Sequence, residues 1–355
     1  MDARASVILG AVGVAVVAAL SPALAHASTH DAAAAACPAR FGLVATPHPA
    51  GGTGSINGLS LVPGTGQAWA VGAQEQNNHT IPIADRFVNG GWHAVPSPQP
   101  FPFVQLNAVS ALSAADAWAV GGDTGTGQTV AEHWDGHAWT VVPTPAIDAY
   151  LAGVAAVSAT DAWAVGERFS DSSPLIEHWN GHVWSTVSVF DPFPAVEILL
   201  TGVQRVPGTN RVWAIGPFVS YQLAGGTWTY RPLPGFGDVT SLTVPAAGDV
   251  WAVGGSGTGG ITEHFAGTAW HKFFTKGVYL AQVAAAGPGD VWTTWSPQLA
   301  GTPRFAHLAG GRWHLLGGVA GFGLSSAFAL GAGGDGWAGG QSTAGQPQLV
   351  RACGL

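Results

Sequence analysis

The tetrapeptide Trp-Ala-Val-Gly occurs four times in one chain, beginning at Trp69, Trp118, Trp163 and Trp251. Weaker copies begin at Trp213 (WAIG), Trp292 (WTTW) and Trp337 (WAGG). The seven tryptophans stand 38 to 50 residues apart. A second tryptophan follows in six of the seven units: Trp92, Trp139, Trp184, Trp228, Trp270 and Trp313. A period of roughly 20–50 residues restricts a chain to stacked or radially arranged units, because each unit buries its apolar face only against a neighbour.

Every unit reads as four short strands. In the second unit these cover 106–112, 117–121, 129–134 and 138–142. Asp116, Asp161, Asp249, Asp290 and Asp335 each stand two residues before a tryptophan, where an Asx-turn is expected. Asp135-Gly136 and Asn180-Gly181 mark hairpins between third and fourth strands. Four strands per unit predict an all-β, seven-bladed β-propeller over residues 37–355. The seventh unit lacks its outer tryptophan, and the N-terminus supplies the missing strand. Phe41 to Pro47 lines up with Trp139 to Pro145, so the ring is expected to close by this strand joining the last blade. That alignment puts Cys353 in the place of Trp134 and Cys37 in the place of Asp135. A Cys37–Cys353 disulfide follows as an expectation, with two unrelated buried thiols as the alternative.

Residues 1–28 read as an address. Arg4 precedes an apolar run from Val7 to Leu20, and Ala23-Leu24-Ala25-His26-Ala27 offers two A-x-A cleavage sites. A secretory signal peptide is expected, with an uncleaved anchor as the competing reading. The mature protein is then extracellular, monomeric and without a membrane span, and secretion permits the disulfide. Only 9% of residues are charged, and Lys plus Arg total 12 against a net charge of -8. That excludes the basic footprint a nucleic-acid binder needs. Fifty-two glycines and 24 prolines exclude long helical bundles.

The Trp-Ala-Val-Gly strand followed by Glu-His-Trp-Asp-Gly-x-x-Trp, as at Glu132 to Trp139 and with Asn180 for the Asp at Glu177 to Trp184, resembles the repeat of secreted bacterial β-propellers. These are broadly similar to kelch-type repeats. The resemblance covers about residues 37–355 and implies the fold; it implies almost nothing about activity, since propellers host many functions.

Candidate chemistry is thin. Glu132-His133, Glu177-His178 and Glu263-His264 recur on third strands, which favours a repeated structural need over metal or proton chemistry. Neighbours on a strand also face opposite ways, so one pair cannot chelate one ion. The glycine runs 122–127 and 254–260 precede strands rather than helices, unlike phosphate loops. Channel-facing places hold Ser60, Ser110, Ala155, Gln204, Thr243 and Ala284, with no acid. No cofactor and no metal is expected. Aromatics recur on one rim at Phe103, Tyr150, Phe236, Tyr279 and Phe322, with Phe193 out of step in a longer loop. They are ligand-binding candidates, or else plugs for the cores between blades. Two stretches break the repeat and read as functional loops: 72–83, with Glu75, Asn77, Asn78 and His79, and 188–200.

The residues thus lead to a non-catalytic scaffold that recognises an extracellular glycan or protein through its rim loops. A hydrolase or lyase using Asp123, Glu167, Asp171, Asp191 and Glu197 is the second reading. A purely structural surface protein is the third.

Overall fold

The computed structural model describes residues 41–48, 52–145, 148–194, 196–234, 237–297 and 302–355. The proposed signal segment and Cys37 lie outside them. Among the described residues there are 28 β-strands and no helix, arranged as seven four-stranded antiparallel sheets.

Strand β1 (Phe41–Val44) comes first. Blade 1 holds β2 (Gly54–Leu61), β3 (Ala68–Gln76), β4 (His79–Val88) and β5 (Gly91–Ala94). Blade 2 holds β6 (Val104–Ser113), β7 (Asp116–Asp123), β8 (Thr129–Trp134) and β9 (Trp139–Val141). Blade 3 holds β10 (Ala149–Ser158), β11 (Asp161–Arg168), β12 (Ser173–Trp179) and β13 (Trp184–Thr186). Blade 4 holds β14 (Gly202–Arg205), β15 (Val212–Gly216), β16 (Val219–Ala224) and β17 (Thr227–Pro232). Blade 5 holds β18 (Asp238–Ala246), β19 (Asp249–Ser256), β20 (Gly259–Ala266) and β21 (Trp270–Lys276). Blade 6 holds β22 (Tyr279–Gly287), β23 (Asp290–Ser296), β24 (Arg304–Ala309) and β25 (Arg312–Gly318). Blade 7 holds β26 (Phe322–Leu330), β27 (Gly336–Ser342) and β28 (Pro347–Ala352), with β1 paired antiparallel to β28.

This is a seven-bladed propeller, and its core is divided into wedges. Seven apolar clusters of buried residues each combine side chains of two neighbouring blades. The second-strand tryptophans are all buried within them. Each meets an outer-strand aromatic of the next blade. Trp69 meets Trp139, Trp118 meets Trp184 and Trp337 meets Trp92 edge-on, with ring centroids 5.0 Å apart in every case. Trp163 meets Trp228 at 5.2 Å and Trp213 meets Trp270 at 5.6 Å. Phe41 occupies the corresponding place against Trp292, at 6.2 Å. Edge-to-face geometry of this kind adds about 0.5–1.5 kcal/mol per pair beyond area burial.

The outer tryptophans also explain a co-variation between blades. Trp270 Nε1 donates to Ser220 Oγ (3.1 Å) and Trp313 Nε1 donates to Thr262 Oγ1 (2.8 Å). Both acceptors lie on the preceding blade's third strand, opposite the third residue of the repeated tetrapeptide. The same place holds Ala84, Ala131, Ile176 and Leu349 in blades 1, 2, 3 and 7. The indole nitrogens facing those blades, on Trp139, Trp184, Trp228 and Trp92, have no partner. In blade 6 the place holds Phe305, and Phe41, which has no N–H to satisfy, stacks on it at 3.6 Å.

The first strands of adjacent blades are joined by side chains. Ser60 Oγ accepts from Ala111 N (3.0 Å), Ser110 Oγ from Ala156 N (3.0 Å), and Gln204 Oε1 from Val244 N (2.6 Å). Three of the channel-facing side chains therefore tie neighbouring first strands together.

Three details depart from the sequence reading. The 72–83 stretch is not an open loop: β3 and β4 continue to a two-residue turn at Asn77-Asn78, both at positive φ (52° and 61°). Asparagine tolerates that conformation, so the hairpin lengthens instead of opening. The aspartates at 116, 161, 249 and 290 accept from a third-strand histidine across the hairpin rather than closing Asx-turns. Finally, Phe41 pairs with Ala352, so Ala352 takes the place of Trp134. Cys353 lies one residue beyond, half-buried. The β27–β28 connection is shorter than its blade-2 counterpart, which displaces the alignment.

The indole pattern yields a measurable prediction. Ser220→Ala and Thr262→Val each orphan a buried indole N–H and are expected to cost about 1–2 kcal/mol in denaturant unfolding. Ala131→Ser offers Trp184 the missing acceptor and is expected to gain about 1 kcal/mol.

Candidate functional site

One rim carries two interlocked sets of loops, those joining second to third strands and those joining one blade to the next. Thr124 N donates to Phe103 O (3.0 Å), Phe169 N to Asp148 O (3.0 Å), and Ile198 N to Ser172 O (3.1 Å). These bonds hold rim side chains on a rigid backbone.

The six rim aromatics fare differently. Phe103 is 36% exposed and stacks on His79, with centroids 6.1 Å apart and ring planes 20° from parallel. A short parallel bridge between Thr80 and Phe103 aligns them. Tyr150 is half-buried and lines the mouth of the central channel. Phe193 packs against the core between blades 3 and 4, and Phe322 is fully buried in the core between blades 6 and 7. Tyr279 lines a separate pocket. Phe236 lies outside the described residues. Asn77 forms the turn that presents His79, its carbonyl oxygen 3.0 Å from His79 Nδ1. Periodicity alone did not separate the exposed rings from the buried ones.

Two aromatics outside that spacing complete the surface: Phe169 is 46% exposed and Phe190 is 68% exposed. The glycine run after β7 lies under Phe103 and Phe169. A Cβ on Gly125 would lie 2.7 Å from the Phe103 ring, so only glycine lets that ring lie against the loop. Gly127 is held to glycine by its positive φ (71°) and by Asp148 Oδ1, 2.3 Å from where a Cβ would stand, and the Phe169 ring packs beside it. His79, Phe103 and Phe169 thus form a discontinuous aromatic strip across blades 1 to 3.

The Glu-His pairs are structural. His133, His178, His264 and His307 lie 2.9–3.0 Å from the aspartates that open their blades' second strands. The same rings cover the tryptophans, Trp251 with His264 at 3.6 Å and Trp163 with His178 at 4.1 Å. Arg86 and Arg351 cover Trp69 and Trp337 in blades 1 and 7. The adjacent carboxyls point the other way and are buried. Burial pushes Glu132 up to about 7, against a Ser97 hydroxyl donated at 2.8 Å, which lowers it. Glu263 is likewise raised to about 7, with Lys272 pulling down. Glu177 has no partner for either oxygen, and burial raises it to about 8. Asp85 is raised by burial although His48 sits 2.7 Å away.

The rim acids are largely taken up by their own loops. Asp123 Oδ1 accepts from Gly125 N and Thr126 N, Asp171 binds Ser173 and Arg168, and Asp191 accepts from Phe193 N. Burial, followed by the negative charge of Glu197, raises Glu167. Among the described residues no three His, Cys, Asp or Glu side chains converge as metal ligands would. The central channel, about 620 Å³, is lined by Ser60, Ser110, Gln204 and Thr243 with Arg205 as its only charged residue. Arg205 is spoken for, donating to Thr209 O and Val157 O.

The molecule is a seven-bladed propeller, and solved structures share this fold over most of its length. U3-55K aligns at a TM-score of 0.64 with 10% identity, covering 88% of this chain and 97% of its own. The RRP9 WD40 repeats align at 0.64 and 10%, covering 88% and 96%. YCF48 from Cyanidioschyzon merolae aligns at 0.61 and 16%, covering 89% and 99%. No protein-family model matches the chain, and no curated protein matches it. At these identities the likeness defines the fold. Among the described residues no helix is long and apolar enough to cross a membrane.

The buried carboxyls predict a pH dependence. Their folded-state pKa values lie above the ordinary 4.5, so their stabilisation is complete below that value and is lost as pH rises through 7 to 8. The thermal midpoint is expected to fall between pH 5 and pH 8. Glu177→Gln should flatten the upper part of that curve, and an unchanged slope would disprove the assignment.

Proposed function

We propose that this protein is a secreted, monomeric, non-catalytic scaffold that binds an extracellular glycan through its loop-rich rim. The observation that carries the reading is the strip of His79, Phe103 and Phe169, set against a glycine-rich loop and exposed to solvent. Aromatic faces cost little conformational entropy to present and suit the apolar faces of sugars. The apolar run and cleavage sites of residues 1–28 support export. The β1–β28 pairing supports closure of the ring by the N-terminal strand, and a Cys37–Cys353 bridge would lock it.

A glycan array probed with the mature protein tests the binding reading. Phe103→Ala combined with Phe169→Ala is expected to abolish the signal while leaving the circular dichroism unchanged; a blank array with wild-type protein removes the glycan and leaves a protein partner. Non-reducing mass spectrometry is expected to find residues 37 and 353 in one linked peptide, and two free thiols would refute the lock. A hydrolase reading retains one observation, Glu167 raised by burial and by the Glu197 charge. Release of reducing ends from an array-positive glycan, lost in Glu167→Gln, would favour it.

A further inference from the structure

The repeat breaks most sharply in blade 6. Six blades end their tetrapeptide with glycine: Gly72, Gly121, Gly166, Gly216, Gly254 and Gly340. In each, an added Cβ would lie 1.7–2.5 Å from a carbonyl oxygen of the first strand or of the residues leading into it, such as Tyr150 O for Gly166 and Leu199 O for Gly216. That is closer than a Cβ can approach, so a side chain fits there only if the first strand stands back. Blade 6 places Trp295 at this position, opposite Leu280. The largest side chain thus replaces the smallest at the most crowded point of the repeat.

A pocket of about 310 Å³ opens at Trp295, on the rim that carries the loops. Its apolar walls are Tyr279, Ala281, Trp295, Pro303 and Leu324. Among the described residues no charged side chain lines it. Trp295 is fixed in place: its Nε1 donates to Phe305 O (3.0 Å), and the Arg304 guanidinium lies over its ring at 5.2 Å. The polar lining includes Gln282, Ser325 and Ser326. Ser325 is 6% exposed and its Oγ has no hydrogen-bond partner. A buried hydroxyl left unpaired costs about 1–3 kcal/mol, and a ligand hydroxyl would relieve that cost.

We propose that this pocket is a subsite for one neutral pyranose unit, a deepening that rests on the glycan reading above. The ring's C–H face lies against Tyr279, with the edge of Trp295 forming part of the wall, and its hydroxyls meet Ser325 Oγ and the Gln282 amide. The lining itself is uncharged and the Arg304 guanidinium is engaged over the Trp295 ring, so the carboxylate of a sialic or uronic acid would be desolvated without a counter-charge inside the pocket. The volume lies at the low end of small-molecule sites, which suits a single sugar ring rather than a peptide.

Saturation-transfer difference NMR with the mature protein tests this, using the methyl glycosides of glucose, galactose and mannose as probes. At least one is expected to show transfer focused on its C–H face. Affinity is expected to fall about tenfold in Gln282→Ala. Tyr279→Ala removes the half-exposed stacking ring without emptying the core between the blades, so it is expected to fold and to lose the transfer. No transfer from any of the three, or transfer unchanged in both variants, would overturn the subsite. If array binding nevertheless persists in both variants, the subsite fails and the rim reading stands. A blank array together with no transfer overturns both.

Discussion

The contact on which this ring depends is a buried tryptophan of one blade set against an outer-strand aromatic of the next. It recurs around the molecule with ring centroids 5.0–6.2 Å apart in the measured pairs, and it joins sheets that share no backbone ladder with their neighbours. A propeller has no single core; its stability is the sum of interfaces between neighbours. Substituting one of these rings therefore disturbs two blades at once. The interface also explains the charge poverty of the chain, because both faces of every sheet are covered and few positions remain for ionised groups.

Around that contact, each blade solves the polar problem differently. An indole N–H brought into a dry wedge needs an acceptor, and Ser220 and Thr262 supply one in two blades only. Phe41 meets the same geometry without a donor and stacks on Phe305 instead. Beside these rings lie carboxyls at Asp85, Glu132, Glu177 and Glu263, which burial holds toward their neutral forms. A repeated Glu-His dipeptide looks like chemistry in the sequence. Its two side chains leave the strand on opposite faces, one to an aspartate and a tryptophan face, the other into the wedge.

The architecture was legible because periodic contacts leave periodic residues. The place of Phe41, the blade count and the channel-facing positions all follow from one alignment. What could not be read is what periodicity hides. Phe322 and Phe103 occupy equivalent spacing, yet Phe322 is fully buried in the core between blades 6 and 7 while Phe103 lies on the rim against His79. The turn at Asn77-Asn78 resembled a loop insertion until both residues proved to sit at positive φ and extend a hairpin. Phe169 fell outside the counted spacing altogether. The glycine facing it, Gly127, gave no separate signal, because its positive φ already serves the β7–β8 turn.

Function in such a ring belongs where symmetry fails, since every symmetric residue is already committed to a neighbour. Ser60, Ser110 and Gln204 show the commitment: they line the channel, and their side chains are spent on the next blade's backbone. Trp295 shows the opposite case. Its ring joins the core between blades 5 and 6, yet it stands where six blades keep glycine. A side chain that departs from the repeat at a crowded place reshapes the rim beside it, and a gain there lies outside the symmetric fold. The pocket it opens, with an unpaired hydroxyl in its wall, is where that gain is to be sought.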